Sequence, residues 1–298
     1  MRVSQTQCCA SCGTAGSDDI ELKDCDDCDL VKYCSDDCQE DHRPQHKKEC
    51  KRRAAELHDE LLFKQPESSY FGDCPICCLP LSIDPTKSTL SSCCSKSICQ
   101  GCNFANQSRE VEGRLEQKCA FCRKTLPKTE EEWNERLMKR IEANDPVAMR
   151  EMGGIRYHEG DYTAAFEYYL NAATLGDVPA HYQLSCLFRD GKGVEKNEKK
   201  AVHHAEKAAI DGHPGARHNL GCKEMKNYQY DRAAKHFIIA AKQGYDKSLK
   251  CLREIYKVGL MSKDDFEAAL RSCQIAITET KSPQRVEAAE FYKKYNET

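Results

Sequence analysis

Nothing in these 298 residues reads as a membrane span, because no run approaches the roughly eighteen apolar residues that a bilayer core requires. The opening Met-Arg-Val-Ser-Gln-Thr-Gln lacks the apolar centre of a secretory signal. Charge of one sign is scarce too: 45 basic and 48 acidic residues leave a net charge of -3, so no global field draws the chain to nucleic acid or anionic lipid. Glycine-rich phosphate loops, nucleophile motifs and open metal sites are missing, which argues against classical enzyme chemistry.

What the chain has in excess is cysteine. There are 21, and all but Cys186, Cys222, Cys251 and Cys273 precede residue 123. In a secreted protein that density would mean disulfides, but the spacing here is that of metal ligands, so a reducing compartment is expected: intracellular, cytoplasm or nucleus. The stretch from Cys74 to Cys122 reads Cys74-Pro-Ile-Cys77, then Cys93-Cys94 and Cys99-Gln-Gly-Cys102, then Cys119-Ala-Phe-Cys122. Eight thiolates make two tetrahedral Zn²⁺ sites. Ahead of it stand Cys9-Ala-Ser-Cys12, Cys25-Asp-Asp-Cys28, Cys34 with Cys38, and His46 with Cys50, which supply two more. About four zinc ions per chain are expected. Closed four-ligand sites hold shape and catalyse nothing.

The first segment resembles the MYND finger, whose Tyr-Cys-Ser-x2-Cys-Gln-x6-His-x3-Cys pattern is matched from Tyr33 to Cys50. The resemblance implies interleaved ligation, Cys9, Cys12, Cys34 and Cys38 on one ion and Cys25, Cys28, His46 and Cys50 on the other. It also implies binding of short partner peptides, although Arg43 stands where the family usually has a tryptophan. Cys8 and His42 are left spare. A basic run (Lys47, Lys48, Lys51, Arg52, Arg53) reads as a solvated helix end favoured by the dipole at a C-terminus, and nucleic acid is not expected as a partner.

The central segment resembles a RING finger, the cross-braced domain of many ubiquitin ligases. That resemblance implies Cys74, Cys77, Cys99 and Cys102 on one ion, with a middle pair plus Cys119 and Cys122 on the other. The middle pair departs from the common pattern, since the usual histidine is Lys96, an ammonium with no lone pair to give. Cys93 with Cys94 is one solution and Cys78 a substitute. By resemblance, Ile76 would be the apolar contact with a ubiquitin-conjugating enzyme, and Arg123 the cation bridging ubiquitin to its carrier.

Beyond residue 126 alanine, glycine and tyrosine recur with a period. Ala172-Ala173, Ala208-Ala209 and Ala240-Ala241 repeat at steps of 36 and 32 residues, as do Gly176, Gly212 and Gly244, and Ala148, Ala180, Ala216 and Ser248 keep a similar register. The pattern from Ala180 to Ala201 resembles the Sel-1-like repeat of the tetratricopeptide class, which implies stacked helical hairpins that bind protein segments. Tyrosines 157, 168, 169, 182, 228 and 230 are groove or packing residues. The four outlying thiols read as buried small hydrophobes, and His203, His204, His213 and His218 lack a paired metal-ligand pattern.

The expected fold is therefore mainly α, with two small cross-braced zinc modules followed by an α-helical solenoid of Sel-1-like, tetratricopeptide-like repeats. The expected layout is a zinc finger at 1–50, a helical linker at 51–73, a RING-like finger at 74–125, a lead-in helix at 126–145, repeats at 146–282 and a capping helix at 283–298. The module order resembles multicopy proteins of diatom-type algae, which implies domain content alone. The expected role is protein–protein interaction, with two readings open: a RING-type ubiquitin ligase whose repeats recruit substrate, or a non-enzymatic adaptor.

Overall fold

The computed structural model describes residues 8–17, 20–67 and 70–296, so the opening heptapeptide and the last two residues of the expected capping helix lie outside it. The chain divides into two compact units, Met1–Lys64 and Gln65–Thr298. Among the described residues no helix is long and apolar enough to cross a membrane.

In the first unit a two-residue antiparallel ladder joins β1 (Lys23–Asp24) to β2 (Lys32–Tyr33) ahead of α1 (Asp36–Leu62). Ser35 caps α1 by accepting from the Cys38 N–H at 3.2 Å, and Asp36 and Asp37 complement the helix dipole in the first turn. The helix runs unbroken through residues 51–62, the first half of the stretch expected to be a separate linker. The basic residues at 47–53 therefore lie mid-helix and owe nothing to a C-terminal dipole. Arg52 pairs with Glu56 at 2.7 Å and Arg53 with Glu60 at 2.9 Å, so the acids of α1 itself offset part of the run.

The second unit opens with a hairpin of β3 (Ser88–Ser91) and β4 (Lys96–Cys99), followed directly by α2 (Gln100–Glu112). Then comes α3 (Glu130–Glu142), whose Thr129 cap accepts from the Glu132 N–H at 3.2 Å while the Glu132 carboxylate accepts from the Lys128 N–H at 2.9 Å. Leu137 of α3 is fully buried with Ala148 and Met152 of the next helix, which seats α3 as the lead-in to the array.

Four helix pairs follow: α4 (Pro146–Glu159) with α5 (Tyr162–Thr174), α6 (Val178–Asp190) with α7 (Glu198–Ile210), α8 (Pro214–Lys226) with α9 (Tyr230–Lys242), and α10 (Lys247–Lys257) with α11 (Lys263–Glu279). Their interior is largely alanine, with Ala148, Ala165, Ala172, Ala180, Ala208, Ala216, Ala233 and Ala240 all fully buried. Small side chains let helix axes approach to the short end of the usual 8–10 Å range. The period in the sequence reappears as a repeated helix ending. Gly176 has φ +85° and donates to the Ala173 carbonyl, while the Asp177 N–H reaches back to Ala172, the paired bonds of a Schellman cap. Gly212 and Gly244 close α7 and α9 through Ala208-Ala209 and Ala240-Ala241 in the same way.

The four extra residues of the second pair form a packed turn. Lys192 Nζ donates to Tyr157 Oη at 2.7 Å and sits over the Tyr157 and Tyr162 rings. Gly193 has φ +67°, and a Cβ there would lie 2.0 Å from the Tyr162 carbonyl oxygen. Gly193→Ala is expected to cost about 2–4 kcal/mol, through the left-handed backbone and the forced separation of the turn, read as a drop in the urea midpoint.

The last helix, α12 (Pro283–Asn296), corrects an expectation. It does not close the far end of the array but lies along α2 of the central zinc module, with Phe104 at ring-centroid distances of 4.9 Å from Phe291 and 6.2 Å from Tyr292. Gly101 makes the approach possible, since a Cβ there would meet the Arg285 backbone at 3.0 Å.

Candidate metal centres

Four Cys-x2-Cys turns share one local geometry. In each, the N–H of the residue after the second cysteine donates to the carbonyl of the first: Gly13 to Cys9, Asp29 to Cys25, Cys78 to Cys74 and Arg123 to Cys119, at 2.9–3.2 Å. All four residues have φ between 54° and 77°. The chain thereby curls around a point to which both sulfurs can turn. Cys78 occupies this turn position with its side chain exposed, so it stands outside the ligand sets.

The side chains gather into four groups whose donor atoms all lie within 4.8 Å of one another: Cys9, Cys12, Cys34 and Cys38; Cys25, Cys28, His46 and Cys50; Cys74, Cys77, Cys99 and Cys102; Cys93, Cys94, Cys119 and Cys122. All 21 cysteines are free thiols. Separations such as Cys34–Cys38 at 3.7 Å, Cys77–Cys99 at 3.8 Å and Cys94–Cys119 at 3.9 Å are far longer than a disulfide bond. They match the edge of about 3.8 Å that a tetrahedron with Zn–S bonds near 2.3 Å requires. The donor sets therefore fit zinc, at about four sites.

Adjacent Cys93 and Cys94 both reach one site because they sit in the turn of the β3–β4 hairpin, where Ser95 takes φ 53° and both the Cys94 and Ser95 N–H groups bond back to the Ser91 carbonyl. Lys96 falls just beyond, paired with Ser91 on the ladder and exposed. At the other site Cys99 caps α2, its sulfur accepting from the Cys102 N–H at 3.4 Å. In the first unit His46 Nε2 lies 3.1 Å from Cys28 Sγ, and the spare His42 stacks on His46 while its Nδ1 meets Tyr33 Oη at 3.0 Å.

The electrostatics of the thiols call for a dication. Burial pushes Cys119 up, but the Ser91 hydroxyl and the Cys122 and Phe121 N–H groups outweigh it and bring the thiol down to about 6. Its neighbour Cys94 goes up to about 11, through burial first and then the charges of Cys119 and Cys122. Four such sulfurs are stable together as thiolates only around a positive centre.

Glu110 holds the second half of this module and is fully buried. One carboxylate oxygen accepts from the Lys118 N–H at 3.0 Å and the other from Arg123 at 2.8 Å, which ties α2 to the Cys119-x2-Cys122 turn. Burial raises the Glu110 carboxyl, but these two donors outweigh it and hold it below the usual range. Arg123 also donates to Asn106 at 2.7 Å. Beside it runs an open groove of about 710 Å³, lined by Ile76, Cys77, Ala105, Asn106, Arg109, Ala120, Arg123 and Gln284. Ile76 is 43% exposed, and Phe121, next to Ala120 in the chain, is 44% exposed.

Arg285 of α12 was invisible to sequence reasoning. It donates to the Pro80 carbonyl at 2.6 Å, the Leu79 carbonyl at 3.1 Å and Cys77 Sγ at 3.4 Å, so it holds the Cys74-x2-Cys77 turn from 208 residues away. Tyr70, from the stretch expected to be linker, packs its ring 4.8 Å from His213, which itself stacks on Tyr182 at 4.3 Å. His213 caps α8 by accepting from the Ala216 N–H, and burial brings it down to about 3. Of the tyrosines, Tyr169 packs inside against Gly153, whereas Tyr228 is 79% exposed. In the first unit the cleft around Gln39, Arg43 and Lys47 measures about 120 Å³, with Arg43 on its wall.

With this geometry in place, comparison with known proteins is decisive for two parts of the chain. Residues 9–50 match the MYND finger, and residues 146–177, 178–213 and 218–245 match the Sel1 repeat. The chain carries a MYND finger and Sel1 repeats. Both are protein-interaction modules, which supports a protein-interaction role. The crystal structure of a Sel1 repeat protein from Oxalobacter formigenes is 26% identical over 51% of this chain and 66% of its own, with a TM-score of 0.44. A protective antigen of uropathogenic Escherichia coli strains, displaying an SLR fold, is 20% identical over 64% of this chain and 41% of its own, with a TM-score of 0.39. The chain thus spans less than two thirds of the length of either. No curated protein matches the sequence.

Proposed function

We propose that this chain is an intracellular, zinc-stabilised ubiquitin ligase of the RING type, in which the central module docks a conjugating enzyme and the Sel1 repeats recruit the substrate. The observation that carries the reading is the groove at Ile76: an exposed aliphatic side chain on one zinc turn, Ala120 and Arg123 of the other, and Ala105, Asn106 and Arg109 of α2 in its lining. A surface of this kind accelerates transfer by holding the thioester and its acceptor in a reactive arrangement, with no chemistry of its own. The compartment, cytoplasm or nucleus, follows from thiolate sites that need reducing conditions.

One observation favours the second reading, a non-enzymatic adaptor. Arg123 is already engaged by Glu110 and Asn106, and Gln284 of α12 borders the groove. The deciding experiment is chain formation with activating enzyme, a panel of conjugating enzymes and the zinc-loaded chain. Ile76→Ala is the informative variant because the side chain is exposed, so zinc content and melting temperature are expected to stay unchanged. The ligase reading expects wild-type activity that Ile76→Ala lowers at least about tenfold, as for a small docking hot spot. Activity equal in both, or absent in both across the panel, moves the adaptor ahead.

A further inference from the structure

Of the four outlying thiols, expected to be buried small hydrophobes, Cys186 is only partly buried and the other three divide into two kinds. Cys273 is buried in the core of the last helix pairs. Cys222 and Cys251 instead meet His218 at the junction of α8 and α10, and the three donor atoms lie within 4.8 Å of one another. His218 and Cys222 are one helical turn apart on α8, which puts them on one face, and Cys222 Sγ is 3.6 Å from His218 Nε2. A tetrahedral zinc with one sulfur and one nitrogen ligand requires an edge of about 3.6 Å.

We propose that His218, Cys222 and Cys251 form a further metal site, holding one Zn²⁺ through Nε2 and two sulfurs with the fourth position open to solvent. The other ring nitrogen of His218 is already committed: Nδ1 lies 3.1 Å from Ser248 Oγ. Donation from Nδ1–H to that hydroxyl leaves the Nε2 lone pair free for a metal, the outer-shell arrangement of metal-binding histidines. Ser248 is fully buried, where the other repeats place Ala148, Ala180 and Ala216. Two of the three ligands depart from the repeat register in the same way. The positions equivalent to His218 are Arg150, Tyr182 and Lys250, and those equivalent to Cys251 are Glu151, Gln183 and Asn219. Helix stacking does not require these residue types, yet they converge at one junction.

The three ligands are partly exposed, as an open coordination position requires. Binding releases the two thiol protons to solvent and changes no oxidation state.

The test is zinc stoichiometry of the full chain by native mass spectrometry in reducing buffer, beside Cys222→Ser, Cys251→Ser and, as a control from the equivalent repeat position, Cys186→Ser. The expected result is one ion more in wild type and Cys186→Ser than in the other two variants, and loss of that ion first on titration with a chelator, because three protein ligands hold zinc less tightly than four. Cobalt substitution gives a second readout, with thiolate-to-cobalt absorption for the additional ion that disappears in Cys251→Ser. Equal zinc counts in wild type, Cys222→Ser and Cys251→Ser overturn the proposal. So does a Cys222–Cys251 disulfide that persists in the reducing buffer in place of the ion.

Discussion

Stripping the metal with a strong chelator should unfold the MYND finger and residues 74–125 while the array keeps its helices. The buried core of the first module is Cys9, Cys25, Cys28 and Tyr33, which is mostly ligands. The central module buries Leu81 and Ile98 among its cysteines. Neither holds enough apolar surface to offset the entropy of ordering about fifty residues, and each structural zinc supplies on the order of 10–16 kcal/mol. The array, with its alanine interior and cores around Leu184 and Phe237, needs no metal to fold. Limited proteolysis of metal-free protein is therefore expected to cut within 20–60 and 74–125 and to leave a resistant fragment beginning near α3. Cleavage should also appear in α12, because its seat on α2 and the Arg285 contacts with the Cys74-x2-Cys77 turn vanish with that site. Cys119→Ser should lose protection in the central module and leave the MYND finger intact. A zinc-free chain that keeps both modules protected would contradict the account.

The second large effect lies at the crossing of α8 and α9. Phe237 is fully buried, and its ring occupies the space beside Gly221, where a Cβ would sit 2.7 Å from the nearest ring carbon. Phe237→Ala is expected to lower stability by about 3–5 kcal/mol, from lost burial and the cavity left behind. Gly221→Ala gains up to about 1 kcal/mol of helix propensity but forces the ring away, at a cost of about 1–3 kcal/mol. The informative measurement is the double variant by urea denaturation. With the ring gone, the new methyl group has room, so the pair should be more stable than Phe237→Ala alone by about 1 kcal/mol. Additive losses would mean that the crossing distance is set elsewhere. Gly153 and the Tyr169 ring repeat the arrangement one unit before the α6–α7 pair, again with 2.7 Å between the absent Cβ and the ring.

Much of this was legible in the chain because the relevant geometry is short-range. A Cys-x2-Cys turn closes on itself by a single backbone bond, so spacing alone marks the two sulfurs as a pair, and the glycines at 176, 212 and 244 mark helix ends because left-handed backbone favours them. The same locality explains one choice that spacing left open. Cys77 and Cys78 are equivalent as letters, and only the backbone of the turn, with Cys78 at φ 55°, directs one sulfur inward and the other out. The helix expected within the 51–73 linker begins at Asp36 because Ser35 and two aspartates start it there, and the acids at 49, 56 and 60 carry it through the basic run.

By itself, then, the sequence determined the paired cysteine spacings that mark candidate zinc ligands, the repeat period and the mainly helical class, since each depends on neighbours within a turn or one repeat. Tertiary structure alone decided the rest. Arg285 reaches Cys77, α12 seats on α2 instead of capping the array, Glu110 commits Arg123, and His218 and Cys222 meet Cys251 from the next repeat. Except for Glu110 with Arg123, which the central module sets internally, these contacts depend on the small rotations that accumulate as helical hairpins stack, and no local pattern of residues encodes where such a stack will carry a side chain.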